Sequence, residues 1–295
     1  MKDKIQSHFF WKHANGAFSL FEKPVEIIYS KIVSNIKYSY IFFLFLIFTQ
    51  LSNKNYVLHE SMLDPLWPML LFKNISPVSI ALFCQISLIV GFILLTRYYN
   101  NRFLKGFVFI IYFLYLAFLN SFGKINHGHH LALMILFCFM LMPGNKVANY
   151  KEKTILLFAS AQFFLLFSYS LTGFWKLFWG IVEFFTKDVS LFSPLSFRNI
   201  LIEQFQLTNP PLLGTWFLEH YYIGYIFYCV VVVIELFAVF AFFKSSLHKI
   251  WGVLLIGMHL GIHLVLNVNM YPAIMAIGLL LLMSPFQKSS TKRLY

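Results

Sequence analysis

An all-α bundle of about eight membrane-spanning helices is the fold this sequence predicts, and three observations predict it. Of its 295 residues, 59% are hydrophobic and 12% are charged, against about a quarter charged in soluble domains. Apolar runs recur along the whole length, each near the ~20 residues that cross a hydrocarbon core of about 30 Å. Lysine and arginine alternate between the intervening segments in the way that orientation in a bilayer requires.

The elements follow in order. Residues 1–37 set Phe9, Phe10, Trp11, Phe18, Leu20 and Phe21 among lysines, the composition of a helix lying on the cytoplasmic surface of a membrane. This segment is too long and too amphipathic for a cleaved signal peptide and is expected to remain. Spans are expected at about 38–51, 78–96, 106–122, 128–143, 154–175, 221–243, 249–266 and 271–286. The transmembrane domain then covers 38–286, with 287–295 a cytoplasmic tail. Residues 177–220 mix Trp179, Phe184, Phe185, Phe192, Phe197 and Trp216 with Pro194, Pro210 and Pro211. They are too apolar for a solvated loop and are expected to lie on the outer surface as a cap.

Basic residues set the orientation. The segments 1–37, 97–105, 144–153, 244–249 and 287–295 hold 6, 3, 3, 2 and 3 of them; the segments 52–77, 123–127, 176–220 and 267–270 hold 2, 1, 3 and 0. The asymmetry puts both termini in the cytoplasm and supports an even number of spans in the cell membrane. The net charge of +12 is scattered over loops, so the partner expected is a lipid bilayer and not nucleic acid. Cys84, Cys138 and Cys229 lie singly in apolar runs without CxxC spacing, as small hydrophobes do. No internal repeat of the transporter kind is present.

Ionisable groups inside spans cost about 2.5–3.5 kcal/mol each on insertion scales and therefore mark sites. There are four such places. His127, His129 and His130 open the fourth span, and Lys176 closes the fifth. Glu235 lies in the sixth, and His259 and His263 lie in the seventh. Helix rise puts Glu235 roughly 12 Å and His259 roughly 15 Å from the inner ends of their spans, so the two are expected to meet. His263 follows one turn outward on the same face, and the ladder climbs toward Lys176 and the histidine cluster. Within the cluster His127 and His130 share a face, whereas His129 reads as a solvated end residue.

Three chemistries are open to this set. Lys176, flanked by Trp175 and Trp179, is a candidate base toward a quinol or other lipophile entering from the bilayer. His259 and His263 also form HxxxH, a spacing that grips a metal, as in histidine-rich membrane desaturases; no HxxHH box occurs, and no metal is expected. The bland alternative is that Glu235 and His259 staple helices in a non-catalytic accessory or immunity protein, and that Lys176 snorkels to the interface.

Four stretches occur in a telling order: "GKINHGHHLALMILFCFMLMPG", "YSLTGFWKLFWGI", "ELFAVFAF" and "MHLGIHLVLNVNMYPAIM". Together they resemble the vitamin K-dependent gamma-carboxylase-like, or HTTM, membrane domain over nearly the whole chain. The small–Gly–x–x–Lys–Leu–x–Trp–Gly pattern is the most specific part. The resemblance implies that Lys176 deprotonates a reduced, vitamin K-like quinone at an outward-facing site and that His127 or His130 assists. Glu235, His259 and His263 would be a buried relay, with Trp175, Trp179 and Asn267 beside the cofactor. A secreted peptide undergoing maturation is the second substrate it implies.

Overall fold

A computed structural model of the chain describes residues 24–51, 61–122, 129–207 and 209–287. The expected surface segment as far as residue 23, His127 and the tail from residue 288 lie outside the described residues.

Among the described residues the structure is helical, without strands. The helices are α1 (Val25–Leu51), α2 (Pro77–Arg97), α3 (Arg102–Leu119), α4 (His130–Leu141), α5 (Tyr150–Thr186) and α6 (Pro194–Leu207). They continue with α7 (Leu212–Glu219), α8 (Tyr221–Leu236), α9 (Phe240–Phe243), α10 (His248–Leu266) and α11 (Tyr271–Ile277), the last running into a π-helical stretch, Gly278–Leu282. By length and composition α1, α2, α3, α5 and the segment Ser245–Leu266 can each cross a membrane. α7 and α8, bent by 106° where they join, make a sixth if they form one span. His130–Leu141 and Tyr271–Leu282 are shorter apolar helices.

Two differences from the expected elements have clear causes. α1 begins at Val25, not near Tyr38, because Ile28, Ile32, Asn35, Ile36, Ser39 and Tyr40 repeat at helical spacing and are all buried. A hydropathy window averages that stripe with the lysines beside it, whereas packing reads the stripe alone. The expected sixth span, 221–243, breaks after Leu236 into a turn and the short α9. Glu235 therefore sits in the last turn of α8 and not inside a longer helix.

The chain divides into two compact units, one of Pro24–Ala161 with Tyr271–Leu279, the other containing Gln162–Met270 and the residues from Leu280 onward. α5 contributes to both. In the first unit, α2 starts under an Ser76 cap that accepts from the Ser79 N–H at 3.2 Å, with Pro77 behind it, the favoured order for a helix start. Phe43 stacks on Phe92 at 5.4 Å, and Tyr40 meets Phe139 edge-on at 6.2 Å. Buried Lys105 donates to the Met142 carbonyl at 2.8 Å, placing a cation at the C-terminus of α4.

In the second unit, glycines set the helix approaches. A Cβ on Gly173 would overlap the Leu236 backbone, 2.8 Å from its Cα. One on Gly180 would lie 2.8 Å from Leu191 Cδ2, and one on Gly224 2.7 Å from Phe197 Cζ. Small residues are what let neighbouring segments approach this closely.

Candidate functional site

The site in the second unit is built on one stripe of α5. Tyr169, Ser170, Gly173 and Lys176 recur at spacings of three and four residues and so share a face. Gly173 lets α8 come against α5, and Ser170 fixes where α8 ends. Its hydroxyl donates to the Glu235 carbonyl at 3.2 Å and accepts the Val239 N–H at 2.8 Å. The side chain thus satisfies backbone groups that a helix terminus otherwise leaves open.

One turn along the stripe, Lys176 Nζ donates to Glu235 Oε2 at 2.7 Å. The carboxylate side chain is 5% exposed and the lysine 30% exposed, so the acid is fully enclosed and the base faces outward. One turn the other way, the Tyr169 hydroxyl and His259 Nε2 of α10 are 2.5 Å apart, both groups buried. Among the described residues His259 Nδ1 is buried with no hydrogen-bond partner. Both contacts start from the same stripe of α5. Four polar groups from α5, α8 and α10 therefore form one assembly.

Of these four groups Lys176 lines a cavity of about 830 Å³. α5 lines it with Leu171, Trp175, Lys176, Trp179 and Glu183, the residue after its end with Lys187, and α6 with Ser196, Asn199, Ile200 and Glu203. Trp175 and Trp179 lie 6.3 Å apart between ring centroids and are each 53% exposed. A mostly apolar wall with a few converging polar groups is the usual form of a small-molecule site.

The first unit holds a separate polar set. Gln85 Nε2 donates to the Tyr115 hydroxyl at 3.0 Å, which donates to Gln50 Oε1 at 3.3 Å. The Gln50 amide lies 2.8 Å from His129 Nε2, and the Tyr112 hydroxyl 3.1 Å from His129 Nδ1. Because Gln50 accepts through Oε1, its NH₂ must face His129, so Nε2 accepts and the ring proton resides on Nδ1, donating to Tyr112. His129 is 8% exposed. The expectation of a solvated end residue is thus corrected: the His129 ring is buried between Gln50 of α1 and Tyr112 of α3, and a ring with both nitrogens satisfied is stable there.

The remaining expected residues are placed as follows. Glu235 meets Lys176, whereas His259 meets Tyr169, in place of the contact expected between Glu235 and His259. Lys176 does not simply snorkel, because its ammonium is held by the buried acid. His263 is half-buried one turn beyond His259, and its carbonyl accepts the Asn267 N–H at 2.9 Å. Asn267 ends α10 at φ 53° and is exposed, a left-handed cap that asparagine tolerates. Trp175 and Trp179 line the cavity beside Lys176; His263 and Asn267 are not among its lining residues. His130 opens α4 and is half-buried in the first unit.

Tyr169, Ser170 and Gln50 were missed by sequence reasoning, which searched for charge. The signal for the first was present: Tyr169 stands seven residues before Lys176, on the same face. Among the described residues no group of three or more His, Cys, Asp or Glu is arranged to hold a metal ion.

The fold and site thus define a helical protein with long apolar helices and a charged pair at the mouth of an amphipathic cavity. No family model, curated protein or solved structure matches the chain.

Proposed function

We propose that the protein is a multi-pass membrane enzyme of about eight spans, with cytoplasmic termini. It takes a lipophilic substrate into the cavity from the bilayer and abstracts a proton from it with Lys176 at an outward-facing site. The observation that carries this reading is the Lys176–Glu235 contact of 2.7 Å at the wall of the cavity lined by Trp175 and Trp179. An ion pair in an apolar wall is costly, and a staple between helices does not need a chamber beside it.

In the ionised pair the ammonium has no lone pair to offer. Lys176 becomes a base when its proton passes along the short contact to Glu235, leaving an amine and a carboxylic acid, the uncharged form that low dielectric favours. A substrate hydroxyl, such as that of a quinol, then gives its proton to the amine. The resulting oxyanion faces the ammonium that it has just created, and Glu235 keeps its proton until product leaves. Tyr169 and His259 keep the pair oriented by packing a fixed dipole against it. Lys176 keeps the role of base that the resemblance to the carboxylase-like membrane domain implies, with a reduced quinone as the lipophile, whereas His130, His263 and Asn267 take no part in this step.

A second reading has its own support. The Gly173 approach and the Ser170 bridge make the same region a strong helix clamp, as a non-catalytic accessory protein would need. Conversion separates the two. The purified chain is incubated with a reduced naphthoquinone in air, and substrate and product are followed by chromatography. The enzyme reading expects turnover that Lys176→Ala and Glu235→Gln each lower at least a hundredfold, within the span of general base effects. Equal conversion by all three proteins, with the variants only less heat-stable, leaves the clamp.

A further inference from the structure

The cavity carries information about charge that the proton-transfer reading does not use. Two helices face each other across it. α6 presents Ser196, Asn199, Ile200 and Glu203, spaced by three, one and three residues, so a single face of that helix forms the wall. α5 presents the half-exposed rings of Trp175 and Trp179.

Each lysine in the lining already has an acid. Lys176 is held by Glu235 at 2.7 Å and Lys187 by Glu183 at 2.8 Å. Glu203 has no ion-pair partner among the described residues, and the Ser196 hydroxyl is buried with no hydrogen-bond partner. The segment 177–220 as a whole carries four acids, Glu183, Asp188, Glu203 and Glu219, against the bases Lys187 and Arg198, in a chain of net charge +12. The open charge of the cavity is therefore negative, and indole faces beside a carboxylate are the usual cage for an ammonium group. An anionic headgroup would find both cations taken.

Depth points to a lipid. Trp175 lies about 37 Å along α5 from Tyr150, beyond a hydrocarbon core of about 30 Å and level with the headgroups. Leu171, one turn deeper, and Ile200 across from it make the lower wall apolar.

We propose that the cavity binds an ammonium-headed phospholipid, its amine between Glu203 and the Trp175–Trp179 face and an ester or phosphate oxygen on the Ser196 hydroxyl. The inference rests on the reading that lipophiles enter this cavity from the bilayer, and it adds a bilayer lipid with a cationic head as an occupant besides the quinol that Lys176 deprotonates.

Tryptophan quenching tests it on the full chain in phosphatidylglycerol nanodiscs, with brominated phosphatidylethanolamine or brominated phosphatidylglycerol added. Subtracting the signal of Trp175→Phe/Trp179→Phe isolates the cavity. The expected result is half-quenching by the ethanolamine lipid at a mole fraction at least threefold lower than by the glycerol lipid. Glu203→Gln, at an exposed position that does not endanger folding, removes the difference. Equal quenching by both lipids overturns the proposal, as does an unchanged preference in Glu203→Gln. Competition by free ethanolamine overturns the assignment to a lipid. Binding needs no turnover, so loss of conversion in Lys176→Ala with no lipid preference sinks this inference alone, and the reverse pattern sinks only the enzyme reading.

Discussion

The two units solve the problem of buried polarity in opposite ways. In the first, Gln85, Tyr115, Gln50, His129 and Tyr112 form a chain in which His129 is bonded on both ring nitrogens. It contains no formal charge, and each bond is between groups held by packed helices. In the second, a charged pair stands at a cavity wall, one imidazole nitrogen lacks a partner, and the lysine stays 30% exposed. A neutral network built round an imidazole bonded at both nitrogens fixes a packing arrangement. An open charged one stores unsatisfied capacity, which is what chemistry and binding draw on.

The comparison breaks most visibly at Glu235. Replacing it with alanine leaves the Lys176 ammonium against an apolar wall. Removing one member of a buried pair costs about 3–5 kcal/mol, and partial exposure of the lysine brings the expected loss to about 2–3 kcal/mol. Thermal unfolding in detergent measures it. The double variant with Lys176→Met should recover most of the loss, since two apolar side chains replace the pair. If the single and double variants unfold alike, the pair is not coupled and the second unit is no more charged in energy than the first.

The closed network predicts a smaller effect. His129→Leu strands the Gln50 amide and the Tyr112 hydroxyl together, for about 1–2 kcal/mol. His130→Leu, at the next position, should cost less, although the sequence singles out His130 as the functional ring. Unfolding of the two variants side by side checks the order, and the reverse order would return the histidine cluster to its original reading.

These cases show what the sequence carries and what it does not. Apolar runs were enough to find the long apolar helices, because hydropathy is a one-dimensional property summed over ~20 residues, but not their bounds: α1 starts at Val25, and α5 runs on to Thr186, past the expected end at 175 and into the segment expected as a surface cap. Lys176, Glu235 and His259 were legible as expensive residues. Their pairing was not, since depth along an axis says nothing of azimuth. Glu235 and His259 do lie within reach of one stripe of α5, which supplies Lys176 to one and Tyr169 to the other. The inward turn of His129 was hidden for a related reason. Whether a residue at a helix start faces water or core depends on the chain leading into it, and "INHGHH" offers no apolar period from which to read that direction.

Tyr169→Phe is the finest test of the difference between the units. It deletes one hydroxyl and nothing else, so the apolar packing of the ring survives and only the 2.5 Å contact with His259 is lost. Hydrogen bonds between membrane helices average about 0.6 kcal/mol by double-mutant cycles, and a cost near that value is expected here. If the site were only a clamp, conversion by Tyr169→Phe would be unchanged, since helix packing loses so little. If Tyr169 and His259 orient the Lys176–Glu235 pair, conversion falls tenfold or more while the unfolding temperature hardly moves, because proton transfer depends on angle far more steeply than stability does. The matched change in the first unit, Tyr112→Phe, removes a hydroxyl from His129 at similar energetic cost. It should leave conversion where it was, and a loss there as large as that of Tyr169→Phe would mean that the closed network also serves the reaction.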